Sequence, residues 1–368
     1  MRVACAAHVG SMRIALVTET FYPAVDGTTT TVKAVADRLI DTGHEVRIIA
    51  PGPGLSTYRR SPVVRTRPLE KPGSQVRDAL ADFAPDLVHV TSPGTIGRKA
   101  LKHARRLGIP SVVVEQSSVL DETADHWRSK VADRADAVVV TSPWMVQRMT
   151  EFGVAADLWT PGVDTAAFAP QLRDPWLHAS WSRARSAGGP LVVVGYVGSL
   201  HRRHDVRRLA ELAAVPGIRP VVIGDGPQRG WLQGRLPRAR FTGALETGDL
   251  TVAMPSLDVL VHPGRHETCS HALREAAASG VPVVAPRSGG APDVVRSLET
   301  GLLYDPADPH GLRRAVAAVA ADPHRGLLGD RARELAAGRT WHDAVDELVA
   351  GTYARLAPVV RPLADAHA

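Results

Sequence analysis

Short, unbroken valine-rich runs limit this chain more than any other feature. They fall at residues 14–18, 46–50, 87–91, 111–114 and 137–141, then again at 191–197, 220–223, 257–262 and 281–285. Each is continuously apolar rather than alternating. That pattern belongs to strands of a parallel sheet covered on both faces. Helical stretches, such as 30–42 and 98–107, lie between the runs. Alternating strands and helices predict doubly wound α/β sheets. The two series are separated by residues 169–190, which include Pro170, Pro175, Gly188, Gly189 and Pro190 and show no strand pattern. This stretch reads as an interdomain connection with a helix around 176–185. A chain of 368 residues suits two domains. The predicted layout is a Rossmann-like domain over 12–168 and a second over 189–340. An amphipathic helix over 341–357 then crosses back to the first. The domains should face a central cleft, with a ligand at the carboxyl ends of both sheets.

Composition excludes several classes. The hydrophobic fraction is 44% and the charged fraction 22%, as in soluble globular proteins. No apolar run approaches the roughly 20 residues of a membrane helix. Two cysteines, Cys5 and Cys269, cannot build a disulfide framework or a zinc finger. Their scarcity fits a reducing cytoplasm. The net charge of +6 admits a phosphorylated partner or an acidic surface, but equally a solvated arginine-rich exterior. No basic stretch is interleaved with aromatics, so nucleic acid is not expected as a partner. Met12 reads as the start of the fold, and the first eleven residues as an extension.

The stretch from His266 to Pro286, H-E-T-C-S-H-A-L-R-E-A-A-A-S-G-V-P-V-V-A-P, carries the chemistry. Glu267 and Glu275 have seven residues between them. The second is expected to open a small-residue helix over 275–279. Gly280 ends it, because glycine accepts left-handed angles without penalty. A buried strand follows. A helix start offers unpaired N–H groups and a positive dipole end to an anion. A carboxylate nearby can hold sugar or ribose hydroxyls. The combination suits a nucleotide-sugar site.

On these residues the chain resembles family four of the retaining glycosyltransferases, which have the two-domain GT-B fold. The opening E-T-F-Y-P-A-V-D-G-T-T, G-H-E-V near Gly43, A-D-A-V-V-V-T-S, P-G-V-D-T-A-A-F-A-P, G-Y-V-G-S-L and V-V-I-G-D-G-P match the family in order and spacing. The likeness extends to actinobacterial mannosyltransferases that use GDP-mannose.

The resemblance implies a hexosyl transfer, with a mannosyl group as the candidate, from a nucleoside diphosphate sugar to a hydroxyl acceptor. It implies retention of configuration and no metal or other cofactor. The first domain would bind the acceptor and the second the nucleotide sugar. Glu275 would take the ribose hydroxyls and Glu267 would lie at the transferred sugar. Backbone N–H groups of Cys269, Ser270 and His271 would bind the distal phosphate and sugar hydroxyls. Gly27, just before a helix beginning near Thr28, would let the backbone approach the diphosphate. The nucleobase would pack near Phe241, Gly243 and Leu245. Gln116 would touch donor sugar and acceptor. Gly224, Gly226 and Pro227 would form a turn facing the cleft, not a dinucleotide fingerprint, since the spacing to Gly230 is wrong.

Two departures stand out. Ser199 and His204 occupy positions where the family usually places an Arg and a Lys on the diphosphate. Arg202, Arg203 and His204 are the candidate replacements. Gln116 stands where many relatives have His. It can hydrogen-bond sugar hydroxyls but cannot act as a base. The histidine pairs 201/204 and 262/266 lack a defined third and fourth ligand, so no metal is expected. The Ser199 and His204 departures keep a second reading open, a donor-impaired or non-catalytic relative that binds a nucleotide or a partner. An epimerase or phosphorylase of the same fold is a minor third. The acceptor is open between a small molecule and a lipid-linked one. The basic helix at 98–106 leaves peripheral contact with the inner membrane surface open as well.

Overall fold

The computed structural model describes residues 10–24, 26–67, 69–119, 121–183 and 189–357. Of the expected N-terminal extension, residues 1–9 lie outside the described residues. The chain divides into two compact units, Met1–Pro161 with Trp341–Ala368, and Gly162–Thr340.

In the first unit the strands are β1 (Arg13–Thr18), β2 (Glu45–Pro51), β3 (Thr57–Tyr58), β4 (Ser61–Thr66), β5 (Leu87–Thr91), β6 (Ser111–Glu115), β7 (Ala137–Val140) and β8 (Asp157–Leu158). Their order is β3-β4-β2-β1-β5-β6-β7-β8. Every pairing is parallel except β3 with β4. The helices are α1 (Gly27–Asp41), α2 (Pro72–Phe83), α3 (Thr95–Leu107), α4 (Ala124–Lys130) and α5 (Pro143–Glu151). Alternation along β1 shows why both faces are covered. Ile14 and Leu16 join one core with Val32, Val35 and Leu39 of α1, while Ala15 and Val17 join the other with Leu80 of α2 and Leu101 of α3. β3, β4 and β8 had no valine run to announce them. β3 and β8 are two-residue edge strands, and β4, between β3 and β2, is partly exposed, so little of their sequence need be apolar.

The second unit contains α6 (Pro175–Ser182), β9 (Val192–Val197), β10 (Ile218–Ile223), α7 (Arg229–Arg235), β11 (Arg240–Gly243), α8 (Thr247–Ala253), β12 (Val259–Val261), α9 (His271–Ala278), β13 (Val283–Pro286), β14 (Gly301–Tyr304), α10 (Gly311–Ala321) and α11 (Arg325–Ala337). Its sheet order is β11-β10-β9-β12-β13-β14, all parallel. The order turns back between β9 and β12, the kind of switch point at which ligands bind in such sheets.

The stretch 169–190, expected to be a connection, belongs where it is described to this second unit. Arg173 donates to the carbonyls of Pro255 and Leu257 at 2.9 and 3.0 Å, and to Asp258 at 2.9 Å. Trp181 enters the core beside Val193 and Leu257. Arg333 holds the carbonyls of Thr165, Phe168 and Ala278 at 3.0, 3.0 and 2.7 Å. Prolines and glycines suggested a linker, but Arg173 and Trp181 tie it to residues far along the chain, and Arg333 holds the segment just before it.

The chain returns to the first unit with α12 (Trp341–Leu348), a π-helical turn at Val349–Tyr353 and α13 (Ala354–Leu356). Ala344, Val345, Leu348 and Tyr353 complete the core that holds α1. The Trp159 indole N–H donates to the Ala344 carbonyl at 2.7 Å.

Candidate active site

In the second unit the site is built on the carboxyl ends of β9, β10 and β12. Gly198, Gly224 and Gly226 follow β9 and β10 with φ of +148°, +140° and +151°. A Cβ on Gly224 would lie 2.0 Å from the Gly198 carbonyl oxygen. Only glycine lets these two turns touch. Gly224 N–H also donates to the Gly243 carbonyl at 2.8 Å. The turn after β10 thus packs on the loop that carries Ser199.

Glu267 follows the end of β12. Its Oε1 accepts N–H groups of Ser270 at 3.0 Å and Thr268 at 3.3 Å, and its Oε2 lies 3.1 Å from His262 Nε2. Burial would push this carboxyl up, but His262, the Ser270 N–H and the more distant His204 outweigh it and hold it at about 2. Glu267 is therefore a fixed negative charge. His262 is buried, lies 6.2 Å from the Tyr196 ring, and has no partner for Nδ1. The sequence offers His262 only as a candidate metal ligand. The missed signal was a histidine at a strand end five residues before the acid.

α9 begins at His271, not at Glu275 as expected. Ser270 takes left-handed angles (φ 57°, ψ 39°), and its carbonyl accepts the Arg274 N–H at 3.0 Å. The helix thus starts one turn earlier than its run of alanines suggested. Glu275 consequently sits in the second turn, away from the helix start. It is only partly exposed, and its carboxylate accepts no hydrogen bond among the described residues. Burial alone pushes its carboxyl up to about 7. The Ser270 N–H, expected to bind phosphate, is engaged by Glu267 instead. The Ser270 hydroxyl is buried without a partner. Cys269 is buried, and its carbonyl accepts from Arg274 Nε at 3.3 Å. His271 is the first helical residue.

The basic turn after β9 behaves unevenly. Ser199, Arg202 and Arg203 are exposed, and Arg202 has no ion pair among the described residues. Arg203 Nε donates to His204 Nε2 at 3.2 Å. Burial and then the Arg203 charge push the His204 pKa down. His204 is therefore neutral near pH 7 and does not supply the missing lysine's charge. The expected nucleobase trio is not gathered on one face. Phe241 packs on the α10 side of the sheet and Leu245 on the α9 side, with a register shift between Val222 and Ile223 and the strand end at Gly243 between them.

Two expected residues lie in the first unit. Gly27 is exposed and is itself the first residue of α1, one position earlier than the expected helix start; Asp26 caps it by accepting the Thr29 N–H at 2.8 Å. Gln116 is buried just after β6, and its Oε1 accepts the Thr31 hydroxyl at 2.9 Å. That bond fixes which way the amide points. Among the described residues no three His, Cys, Asp or Glu side chains converge as metal ligands would. No helix there is long and apolar enough to cross a membrane.

Residues 25–167 match Glycosyltransferase Family 4, and residues 192–322 match the Glycosyl transferases group 1 family. The GDP-mannose-dependent alpha-mannosyltransferase of Mycolicibacterium smegmatis is 38% identical over 366 residues, spanning 92% of this chain and 96% of that protein. This chain belongs to the family-four glycosyltransferases. The GDP-mannose-dependent alpha-mannosyltransferase of Corynebacterium glutamicum is 32% identical, spanning 92% of this chain and 88% of that protein. Among solved structures, sucrose-phosphate synthase from Thermosynechococcus elongatus superposes with a TM-score of 0.77 at 22% identity, over 94% of this chain and 98% of that one. Anabaena HepE in complex with UDP-glucose gives 0.78 at 19% identity, over 94% and 100%. The family's GT-B fold is thereby that of this chain. Near full-length identity to enzymes favours the catalytic reading over the donor-impaired one.

Proposed function

We propose that this glycosyltransferase moves a mannosyl group from GDP-mannose to a hydroxyl acceptor, with retention and without a bound metal. The donor is taken from the names of the relatives above. One observation carries the site assignment: the glutamate just before α9 and the glutamate in its second turn are held in opposite states. Glu267 is ionised and held by His262 and the Ser270 N–H; Glu275 is half-buried, its carboxylate accepts no hydrogen bond among the described residues, and burial pushes it up to about 7. An unpartnered carboxylate in a low-dielectric recess is costly unless a ligand completes it. The ribose diol does so by donating to Glu275, which favours its charged form.

Glu267 places a fixed negative charge beside the transferred sugar, where positive charge develops as the glycosidic bond stretches. The acceptor oxygen bonds to the anomeric carbon while the carbon–phosphate oxygen bond breaks, and the acceptor proton passes to the leaving phosphate. No protein base is then required, which suits the neutral amide of Gln116. Charge on the leaving diphosphate falls to Arg202, Arg203 and the positive end of α9.

The test is a donor screen with Glu275→Gln beside the wild type. The wild type should prefer GDP-mannose over UDP-glucose, keep its activity in EDTA, and give an α-configured product by NMR. The variant should lose about 100-fold in kcat/KM with unchanged circular dichroism, since two charge-assisted hydrogen bonds are at stake. An active variant, a β product or a UDP preference would overturn the corresponding part.

A further inference from the structure

The first unit carries a concentration of charge that donor binding leaves unused. A cleft of about 300 Å³ is lined by Arg98, Lys99 and Lys102 of α3, by Lys130 and His126 of α4, and by Arg134 just after it. No carboxylate lines it. Among the described residues none of the five cations has an ion-pair partner. Nearby arginines do: Arg128 pairs with Asp125 at 3.3 Å, and Arg148 bonds Asp121 and Glu151. Arg98 donates to His126 Nε2 at 2.9 Å, so even that contact leaves its charge uncompensated.

The arrangement is more than a solvated face. Residues 98, 99 and 102 sit on one side of a helix, and a second segment brings two more cations opposite. Arg98, Lys102 and Arg134 are half-buried, which limits screening of their mutual repulsion. The field reaches His103, whose ring is pushed toward neutrality by burial and then by Arg106, Lys102, Arg77 and Lys99. Glu19, a carboxylate within reach of the Arg98 charge, is committed elsewhere: it accepts the Gly97 N–H at 2.8 Å and caps the start of α3. The helix terminus is thus already satisfied, and the cleft's charge comes from side chains.

We propose that this cleft binds a phosphate-bearing small molecule. Arginine forks and lysine ammoniums are the groups that hold phosphate oxygens by charge-assisted hydrogen bonds. The volume is at the lower end of small-ligand sites, about 300–1,000 Å³, which suits a phosphomonoester or a diphosphate. The inference is independent of the donor-site assignment, because it rests on first-unit residues alone.

Calorimetry of the full chain with inorganic pyrophosphate tests it, comparing wild type with Lys99→Gln/Lys102→Gln. Thermal unfolding first establishes that the variant is folded. The wild type should bind, and the variant should bind at least tenfold more weakly, since each charge-assisted contact is worth about tenfold. Equal affinity in the two proteins overturns the proposal. So does a wild type that ignores pyrophosphate yet sediments with phosphatidylglycerol vesicles, for then the charge serves a membrane surface.

Discussion

Ser270 shows how a single residue is shaped by its site. It is a non-glycine residue at φ 57°, and its hydroxyl is buried with no partner. A left-handed conformation costs an ordinary residue about 1 kcal/mol, and glycine escapes that cost. Ser270→Gly should therefore stabilise the protein by about 1 kcal/mol in urea unfolding while lowering kcat/KM. A destabilised variant would mean that the strain is not real. Glu275 adds a pH signature. Its folded pKa of about 7 lies above the ordinary 4.5, so stability is full below about pH 4.5 and is lost as pH rises through 7. Glu275→Gln removes that loss. It should be more stable than wild type by on the order of 2 kcal/mol at pH 8, discounted for partial exposure, and no more stable at pH 4. Identical pH profiles for the two proteins would refute the burial argument. The two glutamates were legible in the sequence by spacing alone. Their opposite states were not, because these depend on His262 and on the fold of the intervening turn.

At the scale of elements, the returning segment after Trp341 is anchored by a buried polar contact. His89 of β5 meets the Tyr353 hydroxyl through Nδ1 and the Thr91 hydroxyl through Nε2, the latter at 2.9 Å. Burial holds His89 down to about 3. Its folded pKa is thus depressed below 6.5. Stability from neutral His89 is present above pH 6.5 and is lost as pH falls toward 3. Tyr353→Phe keeps the ring but leaves Nδ1 unpartnered, at a cost of about 1–3 kcal/mol. Equilibrium denaturation at pH 7.5 would show it, and an unchanged midpoint would refute the bond's role. An amphipathic helix was readable in 341–357. The π-helical turn that aims Tyr353 at His89 was not, since nothing in a local pattern encodes a partner 264 residues away.

For the whole molecule, the division into units gives an asymmetric prediction. The first unit needs both chain ends: Ala344, Val345, Leu348 and Tyr353 fill the core around α1. The second is continuous from Gly162 to Thr340. A fragment of those residues should fold alone with a cooperative thermal transition, whereas a fragment ending at Pro161 should not. A cooperative melt of the shorter N-terminal fragment would contradict the core assignment. Continuous valine runs and glycine-marked turns determined the central strands, the doubly wound class and the position of the acid-bearing turn, because local periodicity and backbone freedom are properties of neighbouring residues. Tertiary structure alone decided that 169–183 and 189–190 belong with the second unit, that α9 starts at His271, and that the Ser270 N–H serves Glu267. Each of these depends on atoms brought together from distant positions or on the shape of a turn, and a one-dimensional pattern carries neither.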